Sequence, residues 1–489
     1  MPKQLIAWLC ATIVLFSSAW ADEPSDTDDQ EILVGDLRIP IEEIIVSDYR
    51  RRTIDEVPAS ITKLSDADVR DMSAQHFEDF VNIIPNLNWS GDGHRARYIQ
   101  IRGVGELEQY QGAPNPSIGF LVDDIDFSGI GSIATMFDVE SIEVLRGSQG
   151  SRYGANALGG LIYLRSMQPS DRREGRVQLG VGDDSMRSLG IAFGGSVDDE
   201  QDTTFRFSAH KQVSDGFRRN SYLGRDDTNG RDETTVRFKL NHSPQQSGYG
   251  IDAALVYVKA DNGYDAFALD NGYTMLSDKP GKDAQESLGG SLNVEWLDVG
   301  SGSLRSITSF ATSDIDFSFD ADWGNDDSWA PVLYDYISVS DRERQTISQE
   351  IRYEGESVVT GIYALRLRDD LASLNQGDYY DPFYDFADTL DYAFDSEFES
   401  TNVAAFGQFY REIGQASSFT AGLRIERRSI DYADTDGLSE SSSETLWGGE
   451  LSISHEFDDG TGYVSVARGY KASGFNLGVV PDEWRRFGD

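Results

Sequence analysis

From about residue 174 onward, the chain consists of segments in which apolar and polar side chains alternate. In one such segment, Phe205, Phe207 and Ala209 alternate with Arg206 and Ser208. Alternation with a period of two predicts β-strands that have one apolar and one polar face. We count roughly thirteen strands of this kind from the pattern alone. The sequence therefore predicts a mainly β protein built on one large antiparallel sheet.

The same alternation occurs in soluble β-sandwiches and in transmembrane β-barrels. A barrel is favoured because the polar faces carry charges of both signs, as a water-filled lumen does, and because short and long connections both occur. Outer-membrane barrels combine short periplasmic turns, long external loops and girdles of aromatic residues. We therefore expect a transmembrane antiparallel β-barrel. The aromatic residues near predicted strand ends are Tyr257, Trp296, Phe409, Tyr410 and Tyr463. The expected long loops are residues 215–230, 261–282, 318–337, 371–397 and 431–443, and the expected short turns are residues 182–185, 198–202, 243–247, 300–302 and 458–460.

The first residues have the features of a secretory signal peptide. Lys3 precedes a short apolar run at residues 5–16, and the small residues of Ala19-Trp20-Ala21 form a cleavage site. A signal peptide over residues 1–21 is therefore predicted. The alternative is a membrane anchor, but the run is shorter than the ~20 apolar residues of a spanning helix. Cys10, the only cysteine, would leave with the signal, so no disulfide or thiolate metal site is expected in the mature chain.

Charge and motifs exclude several classes of function. The formal net charge is −42 at pH 7, which disfavours nucleic-acid binding because phosphates would be repelled. The chain has no G-x-S-x-G, no G-x-x-x-x-G-K-[ST] and no H-E-x-x-H motif. No enzyme, no cofactor and no metal centre is therefore predicted. The oxygen-rich residues 226–230 and 314–327 lack EF-hand spacing, so we interpret them as solvated loops, with Ca²⁺ as the alternative.

Residues 22–52 are predicted to be a disordered N-terminus, because their first part is acidic and rich in small residues. A short β-prone segment at residues 42–48 stands isolated within it. Such a segment suits β-augmentation, in which a partner adds its own strand; it suits the first strand of the following domain equally well. The core of the segment is Glu43, Ile44, Ile45, Val46 and Ser47.

Residues 53–168 have the pattern of a compact α+β domain. Ser65 is predicted to cap a helix over residues 66–72. The apolar residues between Phe77 and Ile84 have helical spacing, so a second helix is expected there, ended by Pro85. The predicted strands are residues 98–102, 118–122, 141–145 and 161–164.

One long motif resembles a known signature. Residues 139–160 read VESIEVLRGSQGSRYGANALGG and resemble the plug signature of TonB-dependent receptors, approximately IEVLRGPQGTLYGRNAxGG. Residues 98–105 resemble the "IRG" strand of that family, and residues 85–87 and 122–124 resemble its shorter markers. The sequence departs from the signature at Ser148, where a proline is usual, and at Ser151-Arg152, where Thr-Leu is usual. The plug-motif residues carried over are Arg102, Gly103, Glu143, Arg146, Gly147, Gln149, Gly150, Tyr153, Gly154, Gly159 and Gly160.

The resemblance implies a plug at residues 53–168 followed by part of a β-barrel at residues 174–489. It also implies that Glu43–Ser47 is a TonB box, which pairs with the periplasmic C-terminal domain of TonB. The implied function is active uptake of a large, scarce extracellular solute across the outer membrane of a Gram-negative bacterium. An iron–siderophore complex is the commonest substrate of the family, with cobalamin, heme and glycans as alternatives. Passive porins and barrel enzymes are the competing classes. The plug signature counts against a porin, and the missing nucleophile motif counts against an enzyme.

The end of the chain departs from the family pattern. The barrel of such transporters has about 22 strands, whereas the alternation accounts for roughly thirteen. We therefore expect a fragment of a longer receptor or the product of an interrupted gene. An open sheet would leave unpaired backbone groups in lipid, so we would not expect the chain by itself to insert or transport.

Overall fold

The computed structural model describes a defined part of the chain. Most of the predicted signal peptide lies outside the described residues, as do Glu43, Ile44 and Ser47 of the predicted coupling segment. The described residues are 13–14, 32–34, 37–39, 45–46, 49 and 52–53, and then 57–488 without residues 73, 92–94, 96–97, 107–115, 131–134, 199, 201, 245–246, 458–459 and 477–481.

The first domain, which we call the plug (residues 57–168), is a small α+β unit. Its main sheet has the order β5-β4-β7-β6-β1; β4 and β7 are parallel, and the other neighbours are antiparallel. A separate hairpin joins β2 and β3. The elements are β1 (Ser60–Ser65), α1 (Asp66–Asp71), β2 (Leu87–Ser90), β3 (Tyr98–Ile101), β4 (Ile118–Val122), β5 (Ile125–Asp126), β6 (Val139–Arg146), α2 (Gly150–Tyr153) and β7 (Gly160–Ser166).

The two helices predicted in the plug differ in outcome. Helix α1 is confirmed, and Ser65 caps it through a reciprocal pair of hydrogen bonds with Asp68 (3.3 and 2.7 Å). The helix expected up to Pro85 is wrong, because only one 3₁₀ turn forms at Phe77–Phe80. Phe77, Phe80 and Ile84 are all buried, so their spacing reflected contacts with the plug core rather than a long helix.

The second domain is a curved sheet that we call the wall. Its thirteen strands, the number expected, are antiparallel, and each pairs with the next along the chain. Ile13–Val14 pairs with the other edge of the first strand. The strands are β8 (Glu174–Val181), β9 (Arg187–Ser196), β10 (Thr203–Ser214), β11 (Arg231–His242), β12 (Tyr249–Tyr264), β13 (Gly281–Val299), β14 (Gly302–Asp320), β15 (Leu333–Gly355), β16 (Val358–Asp381), β17 (Phe386–Ile413), β18 (Ser417–Asp434), β19 (Ser439–Phe457) and β20 (Gly460–Arg468).

Short elements complete the described structure. Among the described residues, no helix is long and apolar enough to cross a membrane. The remaining elements are the strand pairs Ile32–Val34 with Leu37–Ile39, Ile45–Val46 with Arg52–Thr53, Arg219–Asn220 with Thr274–Met275, and Gly474–Phe475 with Arg486–Phe487, the 3₁₀ turn Gly154–Ala157, and helix α3 (Asp482–Arg485).

The two faces of the wall differ as the alternation predicted. The outer face exposes large apolar side chains, for example Leu255, Ile347 and Val403, whereas the inner face presents buried polar groups such as Arg206 and Asp369 towards the plug. An apolar outer band and a polar interior are the pattern of an outer-membrane barrel.

The connections correct several loop predictions. Because the strands alternate in direction, the turn after β8 lies at the same end as the long loops, so its assignment as a periplasmic turn is wrong. The loops expected at 371–397 and 431–443 are also wrong, since residues 382–385 and 435–438 alone connect β16 to β17 and β18 to β19. Strand β17 has 28 residues, whereas about 9–11 cross a membrane. The external part of such a strand meets water on its outer face, so it needs no apolar alternation.

Candidate functional site

The charged residues of the plug motif hold the plug sheet together. Glu143 on β6 is fully buried, 3.9 Å from the ammonium of Lys63 on β1. Arg146 donates hydrogen bonds to the hydroxyls of Ser60 (3.0 Å) and Thr62 (2.5 Å), which also lie on β1. These two motif residues therefore fasten the edge strand of the plug to its centre.

Two motif glycines lie where a side chain would not fit. Gly154 has a φ of +75°, and a β-carbon there would lie 2.7 Å from the Glu426 carboxylate on the wall. A β-carbon on Gly159 would lie 2.7 Å from the Ile118 side chain. The glycines thus allow close approach of plug to wall and of plug strand to plug strand. Arg102 and Gly103 form an exposed turn in which both residues have positive φ.

Strands β10 and β11 bind the plug through charged groups on their inner faces, and we call this region the bonded flank. Arg206 binds the carboxylate of Asp138 with two hydrogen bonds (2.6 and 2.9 Å). Arg237 donates to the backbone carbonyls of Phe137 and Thr135 (2.7 and 2.6 Å). Such charge-assisted, bidentate contacts fix both position and orientation.

Asp123 makes the next contact on the bonded flank. The ammonium of Lys239 lies 2.9 Å from its carboxylate, which also accepts hydrogen bonds from the backbone N–H and hydroxyl of Ser166. Burial alone would raise the pKa of Asp123, but the lysine and the hydrogen bonds outweigh burial and lower it. The carboxylate is therefore charged, and its charge is neutralised from the wall.

Two more ion pairs continue this contact around the plug. The imidazole of His76 lies 2.7 Å from the carboxylate of Glu233 on β11. Arg95 binds Asp283 on β13 (2.5 Å). Burial disfavours the charged imidazole, but Glu233 and Glu78 outweigh burial, and the pKa of His76 is raised. Protonation of His76 therefore strengthens the contact between plug and wall.

A cavity of about 460 Å³ lies between the plug and the wall strands β11–β16 and β18, and Asp123 and Lys239 of the bonded flank line one edge of it. We call the side of the cavity formed by β13–β16 the cavity flank. It lies beside the halves of these strands that end in the short turns. Residues of both charges line it, so it suits water and polar solutes. The plug contributes Leu121, Asp124, Tyr163, Arg165 and Gln168 to the lining, and the wall contributes Asn293, Arg305, Ser348 and Glu350.

Aromatic side chains cover the inner face of the wall at the long-loop end, a region that we call the vestibule. They share the inner face with Arg342 and Asp369, as the strand registers show. Tyr334 and Tyr336 lie 4.9 Å apart between ring centres, and Tyr432 stacks on Phe475 at 4.5 Å. Aromatic faces of this kind bind planar or cationic groups. The vestibule aromatics are Phe317, Phe319, Tyr334, Tyr336, Tyr379, Phe386, Tyr392, Phe394, Tyr432 and Phe475.

Arg428 is a buried cation at the base of the vestibule. Its guanidinium lies 6.0 Å from the ring centre of Phe398. Among the described residues, no hydrogen-bond partner lies within reach of its Nε or Nη1. A buried polar group without a partner calls for a water, an ion or a ligand, so Arg428 is a candidate contact for an anionic group.

The described part of the coupling segment forms a short strand pair, in which Ile45–Val46 pairs with Arg52–Thr53. The expectation of a loop over residues 314–327 is wrong for its first part, since residues 314–320 belong to β14. In the loop that follows, Asp322 accepts hydrogen bonds from the backbone N–H groups of Gly324 and Tyr336. Within the described ranges, no group of three His, Cys, Asp or Glu side chains has metal-binding geometry.

Comparisons with known proteins match this architecture. Residues 53–161 match the family model described as the TonB-dependent Receptor Plug Domain. The chain therefore carries the plug domain of the TonB-dependent receptors. The protein is located in the outer membrane of a Gram-negative bacterium.

The relatives of this chain are named as receptors or transporters. The Pesticin receptor of Yersinia enterocolitica is 24% identical over 457 residues, which are 89% of this chain and 64% of that protein. The vitamin B12 transporter BtuB of Vibrio vulnificus is 24% identical over 64% of this chain and 50% of its own length. The ferric yersiniabactin uptake receptor FyuA from Yersinia pestis has the same fold, with a TM-score of 0.70 and 20% identity over 86% of this chain and 66% of that chain. The chain thus spans about two thirds of the length of the Pesticin receptor and of FyuA, and half of the length of BtuB.

Sequence reasoning missed the residues that join plug to wall. Arg206, Arg237 and Lys239 lie on the polar faces of predicted strands, and this signal alone marks them as facing a lumen. Their partners lie 68 to 116 residues earlier in the chain, so the pairs could not be read from the alternation. Arg428 has the same signal and was missed for the same reason.

Proposed function

We propose that this TonB-dependent receptor takes part in the active uptake of a large, scarce solute, with a ferric siderophore complex as its ligand. In this proposal TonB pairs with the segment Glu43–Ser47 and moves the plug. The proposal takes residues 1–21 as the signal peptide, 53–168 as the plug and 174–489 as part of the barrel. Its partners are the C-terminal domain of TonB, the outer-membrane lipid and the extracellular ligand.

The observation that carries the proposal is the plug bound to the inner face of the wall by buried ion pairs. Each pair removed from water is costly to break singly, about 3–5 kcal/mol. A solute larger than the 460 Å³ cavity therefore needs the plug to move, and the cost of that movement calls for an energy source. A passive pore has no use for such a plug, so this geometry favours active uptake over diffusion.

The choice of ligand rests on the vestibule and on the relatives. Aromatic side chains, and the guanidinium of Arg428 with its Nε and Nη1 lacking a hydrogen-bond partner among the described residues, suit a chelate that has aromatic or apolar faces and an anionic oxygen. The names of several relatives refer to ferric siderophores, for example the Ferripyoverdine receptor of Pseudomonas aeruginosa. Vitamin B12 is the second candidate, because a relative is a vitamin B12 transporter.

Uptake into cells tests the proposal. Cells lacking their own siderophore receptors would express the protein as its gene encodes it, with and without a working TonB. The probes are radioactive iron bound to yersiniabactin, ferrioxamine B or pyoverdine, and labelled vitamin B12. We expect uptake of at least one ferric probe that stops when TonB is removed. Uptake that continues without TonB, or that occurs only for vitamin B12, would contradict the proposal as stated.

Arg428 provides a sharper test of the ligand contact. Arg428→Ala should weaken binding of the ferric probe by about tenfold or more, because a hydrogen bond to a charged group contributes ~1.5–3 kcal/mol. Arg427→Ala is the matched control, since Arg427 is the adjacent arginine on the same strand but is exposed on the outer face. Equal binding by both variants would remove Arg428 from the ligand site.

A further inference from the structure

The hairpin of β16 and β17 extends beyond its neighbour on one side. Strand β17 begins at Phe386, whereas β18 pairs with it only from Ser396 onward. On the other side, β16 pairs with β17 up to the turn and is itself covered by β15 as far as Tyr380. In the part of the chain that the structure describes, no strand pairs with the far side of residues 386–394. We call this free strand edge at the long-loop end of the wall the open edge.

The hydrogen bonds of Asp395 indicate which backbone groups point to the open edge. Its N–H donates to the hydroxyl of Thr435 (3.0 Å), and its carbonyl accepts from the backbone N–H of Thr435 (3.0 Å). Thr435 directly follows β18, so the backbone groups of Asp395 point away from β16. Successive residues of a strand alternate in this direction. The N–H and carbonyl groups of Ala387, Asp391 and Ala393 therefore point to the open edge as well.

The open edge is regular and accessible. Its pairing with β16 continues without a shift in register, and large side chains along it are exposed, with 54% for Phe386 and 40% for Leu390. One donor is used internally, because the N–H of Thr389 bonds to the Asp388 carboxylate (3.0 Å). Proteins usually cover or distort an exposed edge of this kind, since another chain can add a strand to it. A regular edge that stays accessible therefore fits a docking site.

Charge selects the kind of strand that fits. No lysine or arginine occurs between Arg368 and Arg411, and Asp385, Asp388 and Asp391 are exposed at the open edge and its turn. A second copy of this chain would bring the same carboxylates opposite each other, and like charges on paired strands are destabilising. A segment with basic side chains meets the opposite charge on both faces of β17, because Asp388 and Asp391 lie on different faces.

We infer that the open edge is a docking site for an extended, basic segment of another protein, which adds to β17 as a further antiparallel strand. The backbone groups of Ala387, Asp391 and Ala393 bond to this segment, and the carboxylates select its charge. Leu390 and Phe386 provide apolar contact on the vestibule side. The site lies at the rim of the vestibule, needs no movement of the plug and is independent of the solute that the receptor takes up.

Peptide binding to the purified protein in detergent tests the docking site. The probe is a fluorescent peptide of about eight residues in which lysine and valine alternate, the length of an ordinary strand. The first control peptide has the same sequence with methylated backbone nitrogens, so it keeps the charge and loses the donors. The second has glutamate in place of lysine. We expect methylation to weaken binding by about tenfold or more, because several hydrogen bonds are lost, and we expect no binding of the glutamate peptide.

Variants of the protein locate the bound peptide. Ala387→Pro combined with Ala393→Pro removes two donors that point to the open edge and leaves the bonds to β16 in place. We expect about tenfold weaker binding. The matched control, Ala387→Thr with Ala393→Thr, keeps both donors and should bind normally. Asp391→Asn should weaken binding by about twofold, as expected for an exposed ion pair. Asp314→Asn, which removes an exposed carboxylate from β14, should leave binding unchanged.

The other outcomes contradict the inference. Equal binding of the methylated and unmethylated peptides means that charge alone attracts them, and the docking edge is rejected. The same conclusion follows if the lysine peptide does not bind or if the glutamate peptide binds as tightly. Should the proline variant lose its fold in a thermal melt, the comparison of peptides still decides. Sedimentation tests the remaining occupant: self-association that the threonine variant retains and the proline variant loses would replace the basic partner with a second copy of the chain.

Discussion

The plug meets the wall in two ways, and the difference between the bonded flank and the cavity flank indicates how the plug can move. On the bonded flank, Arg206, Arg237 and Lys239 hold plug carboxylates and carbonyls at 2.6 to 2.9 Å. On the cavity flank, a space of about 460 Å³ lies between the same plug sheet and β13–β16, and the Lys239–Asp123 pair stands at its edge. A domain held in this way resists separation from the wall on its bonded side and can move on its open side.

The physical reason for the asymmetry is the cost of breaking buried charges. A buried ion pair that loses one partner leaves an uncompensated charge in a medium that solvates it poorly. Apart from Asp123 and Lys239 at its edge, the polar groups that line the cavity are in contact with a space suited to water and do not incur this cost when the plug moves. We therefore expect the path of least resistance for a solute to run along the cavity flank.

The largest effect is expected when a cation is removed from the bonded flank. Lys239→Met leaves Asp123 buried and charged, so the free energy of unfolding of the plug should fall by about 3–5 kcal/mol. Denaturant titration of the purified protein, with the plug followed by hydrogen exchange, measures this change.

Two controls sharpen that result. Gln168→Ala on the cavity flank should change the free energy of unfolding by less than about 0.5 kcal/mol, as expected for a substitution away from buried contacts. Lys239→Met combined with Asp123→Asn should recover part of the loss, because no charge is then left alone. Equal losses for Lys239→Met and Gln168→Ala would abolish the distinction between the flanks.

The second-largest effect is expected at Gly154, where the plug approaches the wall closely and no ion pair joins the two. Gly154→Ala forces a side chain onto a left-handed φ of +75° and places its β-carbon 2.7 Å from Glu426. Backbone strain of this kind costs of order 1–3 kcal/mol, and the clash adds to it. Thermal unfolding measures the loss.

Gly414→Ala is the matched control for the backbone term. Gly414 has a φ of +76°, and nothing lies within 4 Å of a β-carbon built there. The difference between the two variants isolates the contact with Glu426. If the two alanine variants lose the same stability, the close approach of Gly154 to the wall has no energetic consequence.

The smallest effect is a pH dependence of the bonded flank. The folded-state pKa of His76 lies above its ordinary value of 6.5, because Glu233 and Glu78 together outweigh burial. Its contribution to stability is therefore complete below pH 6.5 and is lost as the pH rises through the raised pKa. Burial raises the pKa of Glu78 as well, which acts in the same direction. We expect the plug to exchange its amide hydrogens faster at pH 9 than at pH 6 after correction for intrinsic rates.

His76→Gln should remove most of this pH dependence, and Arg231, which also faces His76, is retained in that variant. Asp123 has the opposite effect. Because its pKa is lowered, its contribution to stability is complete above pH 3.8 and is lost only as the pH falls through the lowered pKa. A plug that is more stable at pH 9 than at pH 6 would contradict the assigned contact between His76 and Glu233.

Sequence patterns predicted the parts of the molecule that depend on residues close together in the chain. The alternation around Phe205 and Phe207 sufficed to place a strand with an apolar outer face, because lipid and lumen select opposite residues on the two faces. Ser65 and Asp68 sufficed to place the start of α1, because a capping box involves residues only three positions apart.

The remainder depends on contacts that are distant in the chain. The spacing of Phe77, Phe80 and Ile84 reflects burial in the plug core, which a helix and a set of turns satisfy equally. The external ends of β16 and β17 have water on their outer face, so no alternation marks them as strands. The pairing of Lys239 with Asp123, and of Arg206 with Asp138, is set by the position of the plug inside the wall, and no local pattern contains that position.

Thiol labelling of two plug positions tests the asymmetry most directly. Leu121→Cys places a thiol in the lining of the cavity, whereas Thr135→Cys places one beside Arg237, where only 2% of the residue is exposed. A small water-soluble methanethiosulfonate is added to each protein under native conditions. We predict that the thiol at 121 reacts at least about tenfold faster than the thiol at 135, a factor that corresponds to ~1.4 kcal/mol. Equal rates at the two positions would contradict a plug that is bonded to one flank of the wall and parted from the other.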